Sequence, residues 1–307
     1  MTLSGILQLS ADGLINGSQY ALYGVGFGLI LGVTGRFHYA YALVFTVCGY
    51  VVSLLQSSAG GPFPLLAAAG LAAAVLTGVS CEAGIYRPLA RRSGQLSLLT
   101  VFVAALGVTI AGVNLIVLLF GEQSRTMSNR ASHVNHLAGI SFTTLEVGSV
   151  VTAWVLIGAL AAVLRFTQFG RMVRAVRVNP DMAAVVGVGI ERIYLWVFAI
   201  GSLLTGAGAI VYGLRFAVTP DMGTVPVVFA FVVAFLGGTR SSPLVVGLAG
   251  LLLGLVQSLS GIWLSSQWSA LVVFTVLFGY LCLKPASLRL LVSPLRGPQP
   301  ARQAGAE

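Results

Sequence analysis

The chain has 307 residues, of which 57% are hydrophobic and only 8% charged. Its mean hydropathy is +0.95. A soluble fold cannot hide that much apolar surface behind so few charges, and the composition also excludes a disordered chain and a secreted disulfide scaffold. What remains is an all-α, polytopic membrane protein. The charge is lopsided, 17 Lys+Arg against 8 Asp+Glu. In a membrane protein this bears first on orientation and not on nucleic acid.

A span needs roughly 20 mostly apolar residues, so the intervals between charges predict the helices in chain order. The expected spans are 13–35, 37–57, 63–85, 96–119, 147–165, 193–214, 222–238, 242–260 and 264–283. That makes about nine, with eight to ten compatible with the pattern. Residues 1–285 are expected to form one transmembrane domain, and 286–307 a flexible cytoplasmic tail. The runs are continuous and rich in Leu, Ala, Gly and Val, without the alternation of a β-barrel.

Threading nine spans from an outside N-terminus puts Arg36, Arg87, Arg91, Arg92, Arg165, Arg171, Arg174, Arg177, Arg192, Arg240, Lys284, Arg289, Arg296 and Arg302 on the cytoplasmic side. Only Arg125, Arg130 and Arg215 fall outside. The positive-inside rule therefore predicts N-out, C-in. No basic stretch precedes the first apolar run, so no cleaved signal peptide is expected. Cys48, Cys81 and Cys282 lie in or at the ends of apolar runs, without metal-ligand spacing, and read as small buried hydrophobes.

The outside segment 122–146 is polar. Its His133 and His136 lack a nearby carboxylate or thiol, so no metal site is expected. The inside segment 166–192 is more informative. Gly170 can end one helix. Asn179, Pro180 and Asp181 then read as N-cap, first position and first turn of a short helix, which Gly187 and Gly189 close. The arginine stripe Arg171, Arg174, Arg177 precedes it. Two readings stay open: an interfacial helix held by anionic lipid, or a knob docking into a cytoplasmic partner.

No phosphate-binding G-x-x-x-x-G-K-[ST] loop occurs, and the single lysine, Lys284, has no glycine-rich loop before it. No H-E-x-x-H is present. The charge intervals leave no acidic residue at mid-span, which argues against a proton-coupled carrier. Gly28, Gly32, Gly250 and Gly254 form small-xxx-small faces suited to close helix packing. The polar residues within spans include Asn16, Gln19, Tyr20, His38, Tyr41, Asn114 and Gln257. Each suits either interhelical hydrogen bonding or the lining of a path for a neutral or zwitterionic solute.

Several ordered elements carry a resemblance. They are Asn16-Gly17-Ser18-Gln19-Tyr20-Ala21-Leu22, Ile85-Tyr86-Arg87-Pro88-Leu89 with Arg91 and Arg92, and Gly170-Arg171 with Arg174, Asn179-Pro180, Ala183-Ala184 and Gly187. Leu236-Gly237-Gly238 and Lys284-Pro285 complete the set. Over nearly its whole length the chain resembles the permease subunits of branched-chain-amino-acid-type ABC importers, of the first of their two paired types. The resemblance implies a bacterial inner-membrane transport subunit without enzymatic activity or cofactor of its own. It implies as partners a second permease, cytoplasmic ATP-binding subunits that use the ATP, and a periplasmic or lipid-anchored binding protein. It implies that Arg171, Arg174, Asn179, Pro180, Ala183, Ala184 and Gly187 couple to the ATPase.

The chain also departs from the family pattern. Arg36-Phe37-His38-Tyr39-Ala40-Tyr41-Ala42 stands where N-F-A-H-G is usual, and Gln257 where an acidic residue is common. A divergent solute specificity follows as an expectation. The alternative is a stand-alone carrier or channel for a small neutral solute such as urea or an amide.

Overall fold

The computed structural model describes residues 3–93, 98–127, 134–137, 140–265 and 268–283. The chain enters through α1 (Leu3–Thr34), turns back through α2 (Tyr41–Ala59), and returns through α3 (Phe63–Cys81). A π-helical turn (Glu82–Tyr86) carries α3 without a break into α4 (Arg87–Ser93). Next come α5 (Leu98–Phe120), an antiparallel hairpin of β1 (Val134–Leu137) and β2 (Ile140–Thr143), and α6 (Thr144–Phe166). Two short helices follow, α7 (Gln168–Val178) and α8 (Pro180–Val185). The rest is α9 (Ile190–Arg215), α10 (Thr224–Gly237), α11 (Pro243–Ser260) and α12 (Ser269–Leu283).

Among the described residues, six helical stretches are long and apolar enough to cross a membrane: 41–58, 63–91, 99–120, 144–166, 190–215 and 243–260. Thr224–Gly237 and Leu271–Cys282 are apolar but shorter. The first helix has the length but not the apolarity, because Asp12, Asn16, Ser18 and Gln19 lie along it. The fold is therefore an all-α polytopic membrane fold, and length and apolarity by themselves carry six crossings. Lys284 and the tail 286–307 lie outside the described residues.

Treating charges as span boundaries misplaced several ends. The first helix starts at Leu3, ahead of Asp12, whose carboxylate accepts a 3.0 Å bond from Gln8 Nε2 one turn earlier. The second starts at Tyr41 and not at residue 37, because residues 35–40 fold back as non-helical chain. The third runs through Glu82, which is 1% exposed inside the apolar stretch 63–91. An acidic residue does therefore sit within a span. It is tolerated there because Arg36 pairs with it.

The bundle is organised around α1, which touches α6, α9, α10 and α11. Its closest neighbour is α11. A Cβ on Gly250 would lie 2.5 Å from the Ala21 backbone, and one on Gly17 would lie 2.8 Å from the Leu251 carbonyl. A Cβ on Gly254 would run into the Gly17 backbone. Ser258 Oγ, one turn further along, donates to the Leu9 carbonyl at 2.6 Å. The seam is thus built from small residues on both helices, which lets two backbones meet where lipid supplies no hydrophobic drive. On the same helix Gly28 meets Ala234 at ordinary contact distance, whereas a Cβ on Gly32 would overlap the Thr239 carbonyl. Trp154 Nε1 reaches Ser18 Oγ at 3.1 Å and pins α6 to the same axis.

The two ends of the bundle differ in charge. One end gathers Arg36, Arg87, Arg91, Arg177 and Arg240, linked through Glu82, Glu191 and backbone carbonyls. The other holds the hairpin, whose Ser141 exchanges two hydrogen bonds with Gln8, and the Arg215–Glu146 ion pair at 2.9 Å.

Enlarging the seam should unfold the bundle, since overpacking a tight contact costs about 1–3 kcal/mol and more when backbone must move. Gly254→Leu is expected to lower the thermal midpoint of the detergent-solubilised protein markedly. Gly158→Leu, where no atom lies within 4 Å, should leave it unchanged.

Candidate functional site

The segment 166–192 folds as a compact projection. Its first helix, α7, is strongly amphipathic. Gly170, Val173 and Val176 are buried, and Arg171 and Arg174 point away from them. Thr167 caps it by accepting from the Gly170 amide at 3.3 Å. The arginines do more than face outward. Arg174 Nη1 donates to the Leu164 carbonyl, and Arg177 Nη1 donates to the Arg240 carbonyl at 3.1 Å. Burial lowers the pKa of the Arg177 guanidinium from its ordinary value, and neighbouring Arg240 and Arg174 add to the shift. Arg171 stays exposed.

The second helix, α8, follows directly. The Asn179 side chain accepts from the Met182 amide at 3.1 Å, Pro180 takes the first position and Asp181 lies in the first turn. Gly187 ends the helix at φ +87, where a side chain would be strained. The Gly187 and Val188 amides close back on the Ala184 and Ala183 carbonyls at 2.9 and 3.0 Å. Ala183 is buried against the body, and Ala184 is exposed. The outward surface belongs to Val178, Met182, Val185 and Val186, which are between 65% and 84% exposed. Four large apolar side chains therefore stand in the open beside a row of arginines. The start of α9, where the projection ends, is tied to α4, because Arg91 and Arg87 hold Glu191 at 2.7 and 3.4 Å.

Most of the polar residues expected along a path line the inward face of α1 or its neighbours. Arg215 Nη1 donates to Asn16 Oδ1 at 3.3 Å while Nη2 pairs with Glu146. Beside them a cavity of about 210 Å³ opens between α6 and α9, lined by Thr144, Ser149, Thr152 and Arg215. One turn inward, Gln19 Oε1 accepts from the Tyr23 hydroxyl at 3.4 Å, and Gln19 Nε2 is buried without a partner. Tyr20 stacks on Phe229 with ring centres 4.2 Å apart and bonds to Gln257. Deeper still, the Tyr41 hydroxyl donates to the Tyr23 carbonyl at 2.8 Å.

At the arginine-rich end, Arg36 pairs with Glu82 and lies over the Tyr194 ring at 5.0 Å. His38 Nδ1 shares a 2.8 Å hydrogen bond with the Tyr86 hydroxyl. The structure does not bring Asn114 into this set. It is exposed on α5 and donates to the Ile110 carbonyl of its own helix at 2.8 Å. Among the described residues no group of His, Cys, Asp and Glu gathers as a metal site. Residue 133 lies outside those described.

Over residues 9–281 the chain matches the family described as branched-chain amino acid transport system, permease component. The chain belongs to that family. The permease is similar to the high-affinity branched-chain amino acid transport system permease protein LivH of Escherichia coli (strain K12), 28% identical over 296 residues, with 92% of this chain and 94% of the relative covered. BraD of Pseudomonas aeruginosa, carrying the same description, is 26% identical over 296 residues, covering 92% and 95%. The nucleoside ABC transporter permease protein NupB of Lactococcus lactis is 26% identical over 146 residues, 45% of this chain and 38% of the relative. No solved structure matches the permease.

Sequence reasoning missed four charged residues that the fold draws inward: Arg36, Glu82, Glu146 and Arg215. All four were read as boundary markers. It also missed Met182, Val185 and Val186, although large apolar residues between a helix cap and a terminating glycine are a readable sign of an exposed apolar helix.

Removing the cap should loosen the projection alone. Asn179→Ala is expected to cost α8 about 1 kcal/mol. Amide exchange across 180–186 should then rise severalfold while exchange in α9 is unchanged, and Asn179→Asp should keep the protection.

Proposed function

We propose that this permease is the transmembrane subunit of an ABC importer for branched-chain or related amino acids, coupled to a separate ATPase through α7 and α8. The single observation that carries the coupling is the exposed apolar cluster Val178, Met182, Val185 and Val186. It is held rigid by caps at both ends and projects from the arginine-rich end. A lipid surface alone would attract the arginines, but Arg174 and Arg177 spend hydrogen bonds on the protein's own backbone. A hydrophobic pocket on a cytoplasmic subunit suits the four apolar side chains better. Arg171, Asn179, Pro180, Ala183, Ala184 and Gly187 then shape and present the contact.

The chain is read as one permease domain over 1–285 with about nine crossings. Its N-terminus is outside and its C-terminus in the cytoplasm of a bacterial inner membrane. The gathering of arginines at one end of the bundle supports this orientation. The short α10 and α12 count as crossings in this reading: α10 is largely buried among its neighbours, and α12 is apolar over 271–282. The partners are a second permease, the ATP-binding subunits, and a periplasmic or lipid-anchored binding protein. ATP is used by the partner, and this chain takes no cofactor. Asn16, Gln19, Tyr20, His38, Tyr41 and Gln257 form the wall of the solute path. Their hydroxyl and amide groups suit a zwitterion. The branched-chain relatives support the solute class, and the nucleoside relative fits a family whose path admits other polar solutes.

Charging the apolar cluster tests the docking. Met182→Glu or Val185→Glu should abolish co-purification of the ATP-binding subunit and lower ATP-driven leucine uptake at least about tenfold, since hot-spot losses of 2 kcal/mol or more are usual for such contacts. The amount of permease in the membrane should not change. Retained co-purification would sink the coupling role. The orientation is checked separately: Glu122→Cys should react with an impermeant maleimide in intact cells, and Met182→Cys only after the membrane is opened.

A further inference from the structure

The segment 35–40, between α1 and α2, is non-helical backbone that stays inside the bundle. Arg36, His38 and Ala40 are buried in alternation. The chain does not leave the bundle but climbs back beside the last turns of α1. Phe37 packs edge-on against Phe27 at 5.2 Å and lies near Phe102 and Phe231 at 5.4 and 5.8 Å. Tyr41 then reaches the Tyr23 carbonyl. Irregular backbone among apolar helices persists only where protein encloses it or where it borders a wet cavity. Here its side chains pack against α1, α5, α9, α10 and the π-helical turn, at the arginine-rich end.

Beyond the bonds of the Gly35 and Arg36 amides to the end of α1, two polar side-chain contacts hold the segment, and both go to one turn. Arg36 pairs with Glu82, and His38 bonds to Tyr86. Glu82 and Tyr86 are the first and last residues of the π-helical turn. Such turns inside α-helices are frequent at functional sites. A buried ion pair is a two-sided device. It is stable while both charges are dry and together, and separating it in the dry state leaves two uncompensated charges. It therefore opens only when water enters with the opening. His38 Nε2, buried and without a partner, is a polar atom that the closed arrangement leaves unsatisfied and that a hydrated arrangement would satisfy.

The same cluster touches the projection. The Arg36 guanidinium lies over Tyr194. Glu191, nearly one turn earlier on α9, is gripped by Arg87 and Arg91, which directly follow the π-helical turn. The linker between α8 and α9 is only 186–189. A push on α8 has a short route to Tyr194 and Glu191, and through them to both sides of the Arg36–Glu82 pair.

We infer that Arg36 and Glu82 form a latch that keeps 35–40 closed as a plug across the cytoplasmic end of the solute path, and that movement of α7–α8 releases it through Tyr194 and Glu191. This rests on the permease reading and adds a gate and its trigger. Arg36 and Glu82 are positioning residues that need not touch the solute.

The test uses the assembled transporter in proteoliposomes, with Cys48, Cys81 and Cys282 replaced by Ala. Arg36→Cys and Glu82→Cys are introduced together, and oxidative cross-linking is compared without nucleotide and in the vanadate-trapped state. The latch requires efficient cross-linking at rest and a fall of at least about tenfold on trapping, the shift of a gate whose closed population changes by an order of magnitude. Equal cross-linking in both states overturns it. In a second arm, Glu82→Gln should raise basal ATP hydrolysis in the absence of binding protein severalfold, and the charge exchange Arg36→Glu with Glu82→Arg should bring it back towards wild type. Wild-type basal hydrolysis in Glu82→Gln also overturns the latch. Neither readout needs a transported solute. Failure of the wild-type complex to take up leucine would instead count against the solute assigned above.

Discussion

On the face it turns to α11, the first helix has almost no side-chain spacer. Gly13, Gly17 and Ala21 meet Gly250 and Gly254 backbone to backbone. In lipid, apolar area gives no net attraction between helices, so contact depends on dispersion at close range and on interhelical hydrogen bonds. This seam supplies both, because Ser258 closes it with a bond to Leu9. With α1 held there, its remaining faces are fixed against α6, α9 and α10. The polar side chains Asn16, Gln19, Tyr20 and Tyr23 then lie among neighbouring helices and not in lipid. The inward placement of these polar side chains thus depends on how small the residues on the opposite face are.

Charge scarcity imposes a second order on the fold. Each charge kept inside the bundle is paired or bonded: Glu82 by Arg36, Glu146 by Arg215, and Arg177 by a backbone carbonyl. Neutralised in this way, a charge can lie within an apolar helix without ending it. The unpaired positive charge collects at one end, where a short amphipathic helix and its capped successor present an apolar surface. That surface is stiff. Asn179, Gly187 and the Glu191 grip leave little slack between the exposed valines and the first turn of α9.

Much of this was legible in the residues. The capping signals Asn179, Pro180 and Gly187 were read correctly as the limits of a short helix, because capping is local chemistry. Gly250 and Gly254 were visible as a small-residue face, but their partners Gly13, Gly17 and Ala21 were not, since pairing of helices far apart in sequence has no local signature. Asn114 looked equivalent to Asn16 along the chain, and only packing shows that one faces inward while the other stays exposed on its own helix. Along the chain Glu82 and Arg36 read only as limits of uncharged intervals, because a lone charge normally costs too much inside a span. Their ion pair joins positions 46 residues apart, and no pattern near either residue announces it.

The sequence by itself determined the class of the protein, an all-α polytopic membrane protein. Composition and charge spacing are sums over residues and need no partner to be read. The arginine-rich segment 166–192 and its helix limits were determined in the same way, by contacts a few residues apart. Tertiary structure decided which glycines face which helix, which polar side chains share an interior, and which charges are boundaries and which are buried pairs. Each of those depends on what lies across a helix interface, and in a membrane that neighbour is what makes a buried polar group tolerable.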